Sequence, residues 1–319
     1  MVYIPYPRTD LDNNQELIKW RAKSPKIKGD WKSLKEYLAN SARINPNDNP
    51  ITKCWYSELP QGDNYALDVE HFRPKNSAVP LTQKQIKQIE KLAGVSFEQE
   101  NTSGSYSWLE FDYRNYRIVT ALTNRGGAKH IYFPVVKGTK RLQNIQLPWK
   151  TAEYPFLLDP TNPFDAKLLF VKPDGTMSPL SPKIGLTAQE FSNLSNSWHS
   201  DGFNYIRAYA TIVLYRLNDT VFIQGRKEVY NRVKDEMINL TLLLEENPNS
   251  QVLTRIVTNI TKMILPSAPF SLAAKSALLA FEPTNTNSTI ATQTRNIAQK
   301  ILAKVEQEVK SINTDWDKP

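Results

Sequence analysis

The nine residues from Leu67 to Lys75 read LDVEHFRPK. Polar and apolar residues alternate from 65 to 72, which is typical of a short strand, and Pro74 ends the strand because proline has no backbone N–H to donate. Glu70 and His71 therefore stand at the end of a predicted strand. Such a pair is by itself an ordinary, partly buried polar pair, and only the rest of the sequence can give it a chemical role.

The sequence on either side of this strand divides into four predicted units. Apolar residues at helical spacing predict two short basic helices at 14–24 and 31–42, and the run 45–50, rich in proline and asparagine, breaks the chain after them. A helix at 82–93 is predicted as a peripheral insertion. The four units are 1–50, a basic helical segment; 51–150, a compact unit around the strand; 151–183, a small β element; and 184–319, a helical lobe.

The C-terminal half carries the patterns of a helical lobe. Pro173-Asp174-Gly175 between apolar runs predicts a β-hairpin ahead of the lobe. Residues 186–194, 204–243 and 290–312 repeat apolar residues with the helical period. The apolar stripe of the last helix is better explained by core packing than by a partner helix. The stripe consists of Ile297, Ile301, Val305 and Val309. The predicted fold class is α+β, in a mainly helical chain.

The composition is that of a globular protein without a membrane segment. The chain has 319 residues, of which 40% are hydrophobic and 23% charged, enough for one large core or two modest ones. It contains no run of about 18 apolar residues, and its first residues lack the pattern of a signal peptide. A single cysteine, Cys54, agrees with a reducing compartment. We therefore expect a cytoplasmic protein with no membrane partner.

Positive charge is concentrated in two windows. The net charge is +8, yet residues 19–35 carry seven basic residues against one acidic residue, and residues 111–150 carry eight against one. The rest of the chain is therefore slightly acidic. Basic windows of this kind attract polyanions such as nucleic acid. Two solvated basic faces explain them about as well.

Four pieces along the chain give the Glu-His pair a context. They are Cys54-Trp55-Tyr56-Ser57, Glu70-His71, Asn115, and Asn124 followed by Lys129 and Phe133-Pro134. In this order they resemble the HNH endonuclease family, in the branch that carries EHFRPK and includes the PtuB-type nucleases of bacterial anti-phage systems. The resemblance extends over roughly residues 30–240.

The resemblance implies a fold and a set of roles. HNH proteins share a ββα-metal core, which we expect within residues 51–150. By position, Glu70 is the implied ligand of a divalent metal and His71 the implied general base. Asn115 is implied to hold the catalytic loop and the His ring, and Asn124 to be the second metal ligand. The implied reaction is phosphodiester hydrolysis, in which a base activates water and a cation neutralises charge on the phosphate.

These residue types suit that chemistry. A carboxylate and an amide oxygen are hard ligands, so Mg²⁺ or Mn²⁺ is the expected cofactor, and an imidazole is largely neutral near pH 7. Adjacent strand residues point to opposite sides, so Glu70 and His71 can act together only if the strand ends in a bend. Basic side chains around the motif are expected to contact the phosphates of a nucleic acid. They are Arg73, Lys75, Arg125 and Lys129.

One part of the family pattern is missing. Relatives commonly hold a structural zinc ion with two Cys-x-x-Cys pairs. The corresponding positions here are Cys54, Ser57, Thr120 and Thr123. Hydroxyl groups are poor zinc ligands, so we expect no structural zinc, and hydrogen bonds or apolar packing in its place. The two other histidines, His130 and His199, are expected to lie outside the reaction centre.

The expected function is a metal-dependent DNA endonuclease. The resemblance further implies the effector of an anti-phage defence system, acting beside an ATPase or sensor subunit. A catalytically degenerate HNH-derived module that binds nucleic acid or a partner protein is the main rival, because missing zinc ligands and Glu at the metal position suit a domain that no longer cuts. An RNA-cleaving enzyme and a helical scaffold with an incidental EHFRPK remain as further alternatives.

Overall fold

The computed structural model of the chain begins with two short helices that lie against the β unit. Helix α1 (Gln15–Ala22) and helix α2 (Lys35–Ser41) lie inside the two predicted helical ranges. The Trp20 ring packs edge-on against the Tyr116 ring, with centroids 6.3 Å apart. The residues described are 1, 3–4, 15–23, 34–41, 52–60, 67–94, 96–125, 127–139, 141–142, 153–180, 201–248, 250–284 and 287–310. The predicted break at 45–50 lies outside them.

The stretch LDVEHFRPK forms a strand that pairs with a second strand far along the chain. Strand β1 (Leu67–His71) runs antiparallel to strand β2 (Tyr116–Thr120). Between them lies helix α3 (Gln83–Ala93), which a capping box starts, because Thr82 and Gln85 each accept the other's backbone N–H. Helix α4 (Ala121–Asn124) follows β2 directly and packs against both strands. The chain thus runs strand, helix, strand, short helix.

The two faces of this two-stranded sheet have different surroundings. Leu67, Val69 and His71 point to one side of β1, because side chains alternate along a strand. Asp68 and Glu70 point to the other side, where Glu70 is 4% exposed. His71 is only partly buried. The strand therefore carries its histidine toward the surface and its glutamate into the protein.

A β-hairpin follows, as Pro173-Asp174-Gly175 predicts. After the short helix α5 (Pro163–Ala166), strands β3 (Leu169–Val171) and β4 (Met177–Pro179) pair antiparallel. Gly175 has φ +87°, and a Cβ atom there would collide with the backbone carbonyl of Ile223. Glycine is required at this turn both for its left-handed backbone and for the close approach of a helix.

The C-terminal half is helical, as predicted. Its helices are α6 (Asp201–Leu214), α7 (Thr220–Glu246), α8 (Gln251–Ile264), α9 (Ser271–Ala280) and α10 (Ser288–Lys310). Helix α7 packs against α8, α9 and α10. Ile301 and Val305 of α10 are buried, which confirms that this part of the predicted stripe is core. The predicted helical segment 186–194 lies outside the described residues.

The β unit and the helical lobe are packed together. Helix α3, predicted as a peripheral insertion, packs along α6, and its Ile89 is fully buried. The sequence prediction was wrong on this point, because α3 has a buried side as well as an exposed one. The architecture of the described residues is α+β, with two small antiparallel sheets among mainly helical elements. None of the described helices combines the length and the apolar character needed to cross a membrane.

Candidate active site

The His71 ring is held by a backbone carbonyl. Its Nε2 lies 2.9 Å from the carbonyl oxygen of Glu110, and the Tyr116 hydroxyl donates to the same oxygen at 2.6 Å. A carbonyl oxygen only accepts, so Nε2 must carry the proton and the basic lone pair of the neutral ring lies on Nδ1. The Tyr116 ring meets the imidazole edge-on, with centroids 5.0 Å apart. The ring is thus fixed in both orientation and tautomer.

His71 is kept neutral by its surroundings. Burial lowers the pKa of His71 to about 4, and the nearby positive charges of Lys75 and Lys129 act in the same direction. The carboxylate of Glu110 opposes them only in part. At pH 7 the imidazole is therefore unprotonated on Nδ1 and able to accept a proton.

Asn115 fastens the chain that leaves β1. Its side-chain oxygen accepts the backbone N–H of Arg73 at 2.8 Å, and its side-chain nitrogen donates to the Arg73 carbonyl at 2.8 Å. The backbone N–H of Phe72 donates to the Asn115 carbonyl at 2.7 Å. Asn115 is 4% exposed. It closes the loop next to His71, which is the place that the resemblance implies for it, but it makes no recorded hydrogen bond to the His71 ring within the described residues.

Glu70 is bound inside the protein. Its Oε1 lies 2.5 Å from Nζ of Lys129 and accepts the hydroxyl of Tyr215 at 3.2 Å. Its Oε2 is buried and finds no hydrogen-bond partner in the part of the chain that the structure describes. Burial raises the pKa of the Glu70 carboxyl, and the Lys129 ammonium opposes this rise.

Glu70 and His71 leave β1 on opposite faces. Pairing between β1 and β2 is regular to the end of β1, with Glu70 opposite Arg117 and His71 opposite Tyr116. The expected bend comes directly after β1, at Phe72 and Arg73, so Glu70 and His71 still leave the strand itself on opposite faces. Glu70 reaches the site from the interior and His71 from the surface side.

An aspartate that the sequence analysis missed lies on the Glu70 face of β1, and Asn124 ends the helix that packs against both strands. Asn124 is the last residue of α4 and is half-buried. Asp68 lies two residues before Glu70 and points to the same face of β1. Its Oδ1 accepts Arg125 at 2.7 Å, and its Oδ2 is buried without a partner among the described residues. The two-residue spacing on a strand was the signal in the sequence that could have found Asp68.

The residues fit a divalent metal ion in one respect. Two carboxylates on one strand face, Asp68 and Glu70, each keep one buried oxygen without a hydrogen-bond partner among the described residues, and carboxylate oxygens are hard ligands. A group of three or more His, Cys, Asp or Glu side chains close enough to hold a metal is absent from the described residues. A metal here would therefore need Asn124 and water to complete its coordination.

The four predicted phosphate-binding residues separate into two pairs. The Arg125 side chain is 67% exposed and pairs with Asp68, whereas the Lys75 side chain is 13% exposed and pairs with Glu110, so both lie at the surface to different degrees. Arg73 and Lys129 are 7% and 0% exposed. The Arg73 guanidinium binds Glu153 at 2.8 Å, and Lys129 binds the Glu70 carboxylate and, at 2.7 Å, the His71 carbonyl. These two side chains hold the protein together and are not presented to a nucleic acid, because buried charges need internal partners.

The four positions of the family's zinc site lie together in what we call the hydroxyl corner. It consists of Cys54, Ser57, Thr120 and Thr123, all 0% exposed. Cys54 Sγ lies 3.7 Å from Thr123 Oγ1 and accepts the Ser57 backbone N–H at 3.3 Å. Thr120 Oγ1 lies 3.1 Å from Thr123 Oγ1. Hydrogen bonds among side chains and backbone thus connect positions where thiolates would share a metal.

A buried charged cluster ties the hydroxyl corner to the helical lobe, and sequence reasoning did not find it. Arg226 of α7 is fully buried and donates to the carbonyls of Leu217 and, at 3.3 Å, Ser57. The Glu58 carboxylate accepts the backbone N–H of Leu272 at the start of α9, at 2.9 Å. Charged side chains near Ser57 read locally as surface residues, and only the fold brings them to α7 and α9.

The other two histidines take no part in this site. His130 is exposed, and its backbone N–H donates to the Asn124 carbonyl at 3.0 Å. His199 lies outside the described residues.

Comparison of the chain with protein-family models, with curated proteins and with solved structures gave no match.

Proposed function

We propose that this protein is a metal-dependent endonuclease of the HNH type that hydrolyses phosphodiester bonds in DNA. The observation that carries the proposal is the state of His71: a neutral imidazole whose protonated Nε2 is fixed on the Glu110 carbonyl, so that Nδ1 is the basic atom. A general base for water must be neutral at the working pH and must hold its basic atom in a fixed orientation. His71, neutral and with its Nε2 proton fixed on a carbonyl, meets both conditions.

In the proposed reaction, His71 Nδ1 takes a proton from the water that attacks the phosphorus atom. Tyr116 and the Glu110 carbonyl hold the ring during this transfer. Asn115 fixes the chain at Arg73, so the position of His71 is set by the loop that follows it as well as by β1. Lys75 and Arg125 are the predicted basic residues that can meet phosphates from solvent.

A divalent ion, Mg²⁺ or Mn²⁺, held by Glu70 and Asn124 would neutralise charge on the phosphate and on the leaving oxygen. The buried oxygen Glu70 Oε2, which has no partner among the described residues, supports this assignment. Asp68 is a further carboxylate on the same face. A place in anti-phage defence, with an ATPase or sensor subunit as partner, rests on the resemblance of the EHFRPK motif alone.

The test is plasmid nicking with Mg²⁺ or Mn²⁺. We expect His71→Ala to lower the rate by about 100-fold to 10,000-fold, the usual contribution of a general base. His130→Ala is the matched control, because it removes an exposed imidazole from the loop after α4 and should leave the rate unchanged. Equal rates for wild type and His71→Ala would end the nuclease proposal. Offering RNA beside DNA separates the two substrates.

One observation favours a second function, that of an HNH-derived binding module without catalysis. The Glu70 carboxylate already has a cation, the Lys129 ammonium 2.5 Å away, in the protein itself. If that pair has replaced the metal, the wild type should bind DNA or a protein partner and cut neither strand under any metal condition. Filter binding of DNA beside the nicking assay distinguishes this module from the enzyme.

A further inference from the structure

A tyrosine directly after helix α6 contacts a residue of the candidate active site. Tyr215 follows Leu214, the last residue of α6, and lies 145 residues along the chain from Glu70. It is fully buried, and its hydroxyl donates to Glu70 Oε1 at 3.2 Å. The helical lobe, with no motif of its own, thus contacts the carboxylate that the EHFRPK motif supplies.

The Tyr215 ring is held firmly. It stacks on the Tyr56 ring with centroids 3.7 Å apart and planes 14° from parallel. The backbone N–H of Tyr215 donates to Thr211 at 2.9 Å, and Arg226 donates to the carbonyl of Leu217 in the same turn. A hydroxyl fixed on both sides in this way can orient the group that it contacts.

The two oxygens of Glu70 have different surroundings. Oε1 receives two donors, the Lys129 ammonium and the Tyr215 hydroxyl, whereas Oε2 is buried with no donor among the described residues. A carboxylate that binds a metal through one oxygen commonly has its other oxygen hydrogen-bonded, and such outer contacts fix the ligand. The contacts on Oε1 leave Oε2 as the oxygen available to a cation.

We propose that Tyr215 is a positioning residue that fixes Glu70 with Oε2 available to the divalent metal, so that the helical lobe forms part of the metal site. The inference rests on the proposed function, because it assigns Tyr215 a role toward a metal that Glu70 would bind. It goes beyond that function in making a residue outside the HNH unit necessary for metal affinity. A purely structural Tyr215 would matter for folding and not for metal binding.

The experiment measures Mn²⁺ binding to the full-length protein by titration calorimetry, and the Mn²⁺ dependence of plasmid nicking. Tyr215→Phe keeps the ring and its stacking on Tyr56 and removes only the hydroxyl. We expect Mn²⁺ to bind about tenfold more weakly, within the range for loss of an outer hydrogen bond. The Mn²⁺ concentration for half-maximal nicking should rise by the same factor, with less than a twofold change in the rate at saturating Mn²⁺.

Two further variants separate the outcomes. Tyr209→Phe removes the hydroxyl of a tyrosine that lies within α6 and is only partly buried, and this variant should bind Mn²⁺ as the wild type does. Glu70→Gln should abolish binding. If Glu70→Gln does so while Tyr215→Phe matches the wild type, the role of Tyr215 is overturned and the proposed function stands. If Glu70→Gln binds Mn²⁺ normally, or the wild type binds none, both the metal site and this inference are overturned.

Discussion

The two ends of strand β1 lie in surroundings of opposite character. At the Leu67 end, the hydroxyl corner is fully buried, and its four side chains hydrogen-bond to one another and to nearby backbone. On the face of Asp68 and Glu70, two buried carboxylate oxygens find no donor among the described residues. Buried polar groups normally have hydrogen-bond partners, so a buried oxygen without one is a candidate site for a ligand. The hydroxyl corner is closed by its own hydrogen bonds, whereas the face of Asp68 and Glu70 keeps two carboxylate oxygens that are chemically able to bind a cation.

Three buried charged residues link the hydroxyl corner to the helical lobe. They are Arg226, Lys53 and Glu58. Lys53 Nζ lies 2.8 Å from the Ser271 hydroxyl and 3.8 Å from the Glu58 carboxylate. A buried charge that loses its partner destabilises the protein, so these contacts stabilise the fold only while all three residues are present. We predict the effects of substitutions at the hydroxyl corner and at the proposed active site, from the largest expected effect to the smallest.

Restoring the zinc ligands should give the largest effect. In a Ser57→Cys, Thr120→Cys, Thr123→Cys variant, Cys54 completes a set of four thiols. Thiolates around one zinc ion are about 3.8 Å apart, since Zn–S bonds are about 2.3 Å, and Cys54 Sγ already lies 3.7 Å from Thr123 Oγ1. We expect Zn²⁺ at 1,000 times its Kd to raise the free energy of unfolding by about 4 kcal/mol. Denaturant titrations with and without zinc measure this, with the wild type as control; no zinc-dependent change would mean that the corner has lost the geometry of a metal site.

Arg226→Met should give the second largest effect. The change leaves the carbonyls of Leu217 and Ser57 without their buried donor, and we expect the free energy of unfolding to fall by about 3 kcal/mol. The matched control is Arg216→Met, in the turn before α7, whose exposed pair with Asp219 should contribute less than about 0.5 kcal/mol. Urea unfolding measures both variants. Equal losses for both would argue against a stabilising role of the buried Arg226 contacts.

Asn115→Ala tests the proposed active site. It removes two hydrogen bonds to the Arg73 backbone, so stability should fall by about 2 kcal/mol. Nicking should fall by more than that loss explains, at least about tenfold, because small misplacements of a catalytic group are costly. Asn239→Ala, at an exposed position of α7, is the control and should change neither quantity. A variant that loses stability but keeps full activity would show that the Asn115 loop does not place His71.

The pH dependence of stability gives the smallest effect. Because the folded pKa of His71 is about 4 and the unfolded value about 6.5, the unfolded state binds more protons between these values. The contribution of His71 to stability is therefore complete above pH 6.5 and is lost as pH falls toward 4, by about 1 to 2 kcal/mol for a partly exposed ring. Unfolding of wild type and His71→Ala from pH 7 to pH 4 measures it. Parallel pH profiles would mean that the ring is not held neutral.

Local patterns predicted the local structure well. The stretch 82–93 was predicted as a helix and contains α3, and Pro173-Asp174-Gly175 predicted the turn between β3 and β4, because each pattern acts on its own neighbours. The grouping of Cys54 with Thr123 followed from family resemblance, which carries long-range information that one sequence does not show. Charge was harder to interpret. The basic window 111–150 looked like a surface for polyanions, yet several of its members pair with carboxylates from elsewhere.

These pairs account for much of what sequence reasoning missed at the site. Arg117 binds Asp159 at 2.6 Å and Lys137 binds Glu98 at 3.0 Å, so the charge of the window is neutralised by distant residues. Lys129 turned inward for the same reason, toward Glu70. No pattern within a few residues of a lysine reveals a carboxylate that the fold will bring to it. The role of Tyr215 was hidden in the same way.

The long insertion between β1 and β2 has a consequence for how the protein is made. Paired residues of the two strands are from 45 positions apart, at His71 and Tyr116, to 53 apart, at Leu67 and Thr120. Contacts of this range form slowly, and their closure follows local helix formation. Tyr215 lies 145 residues along the chain from Glu70, so its contact with Glu70 has a still longer range. A ribosome therefore releases the complete arrangement around Glu70 only after α6 has emerged, and a chain cut short before Tyr215 would carry the EHFRPK motif without it.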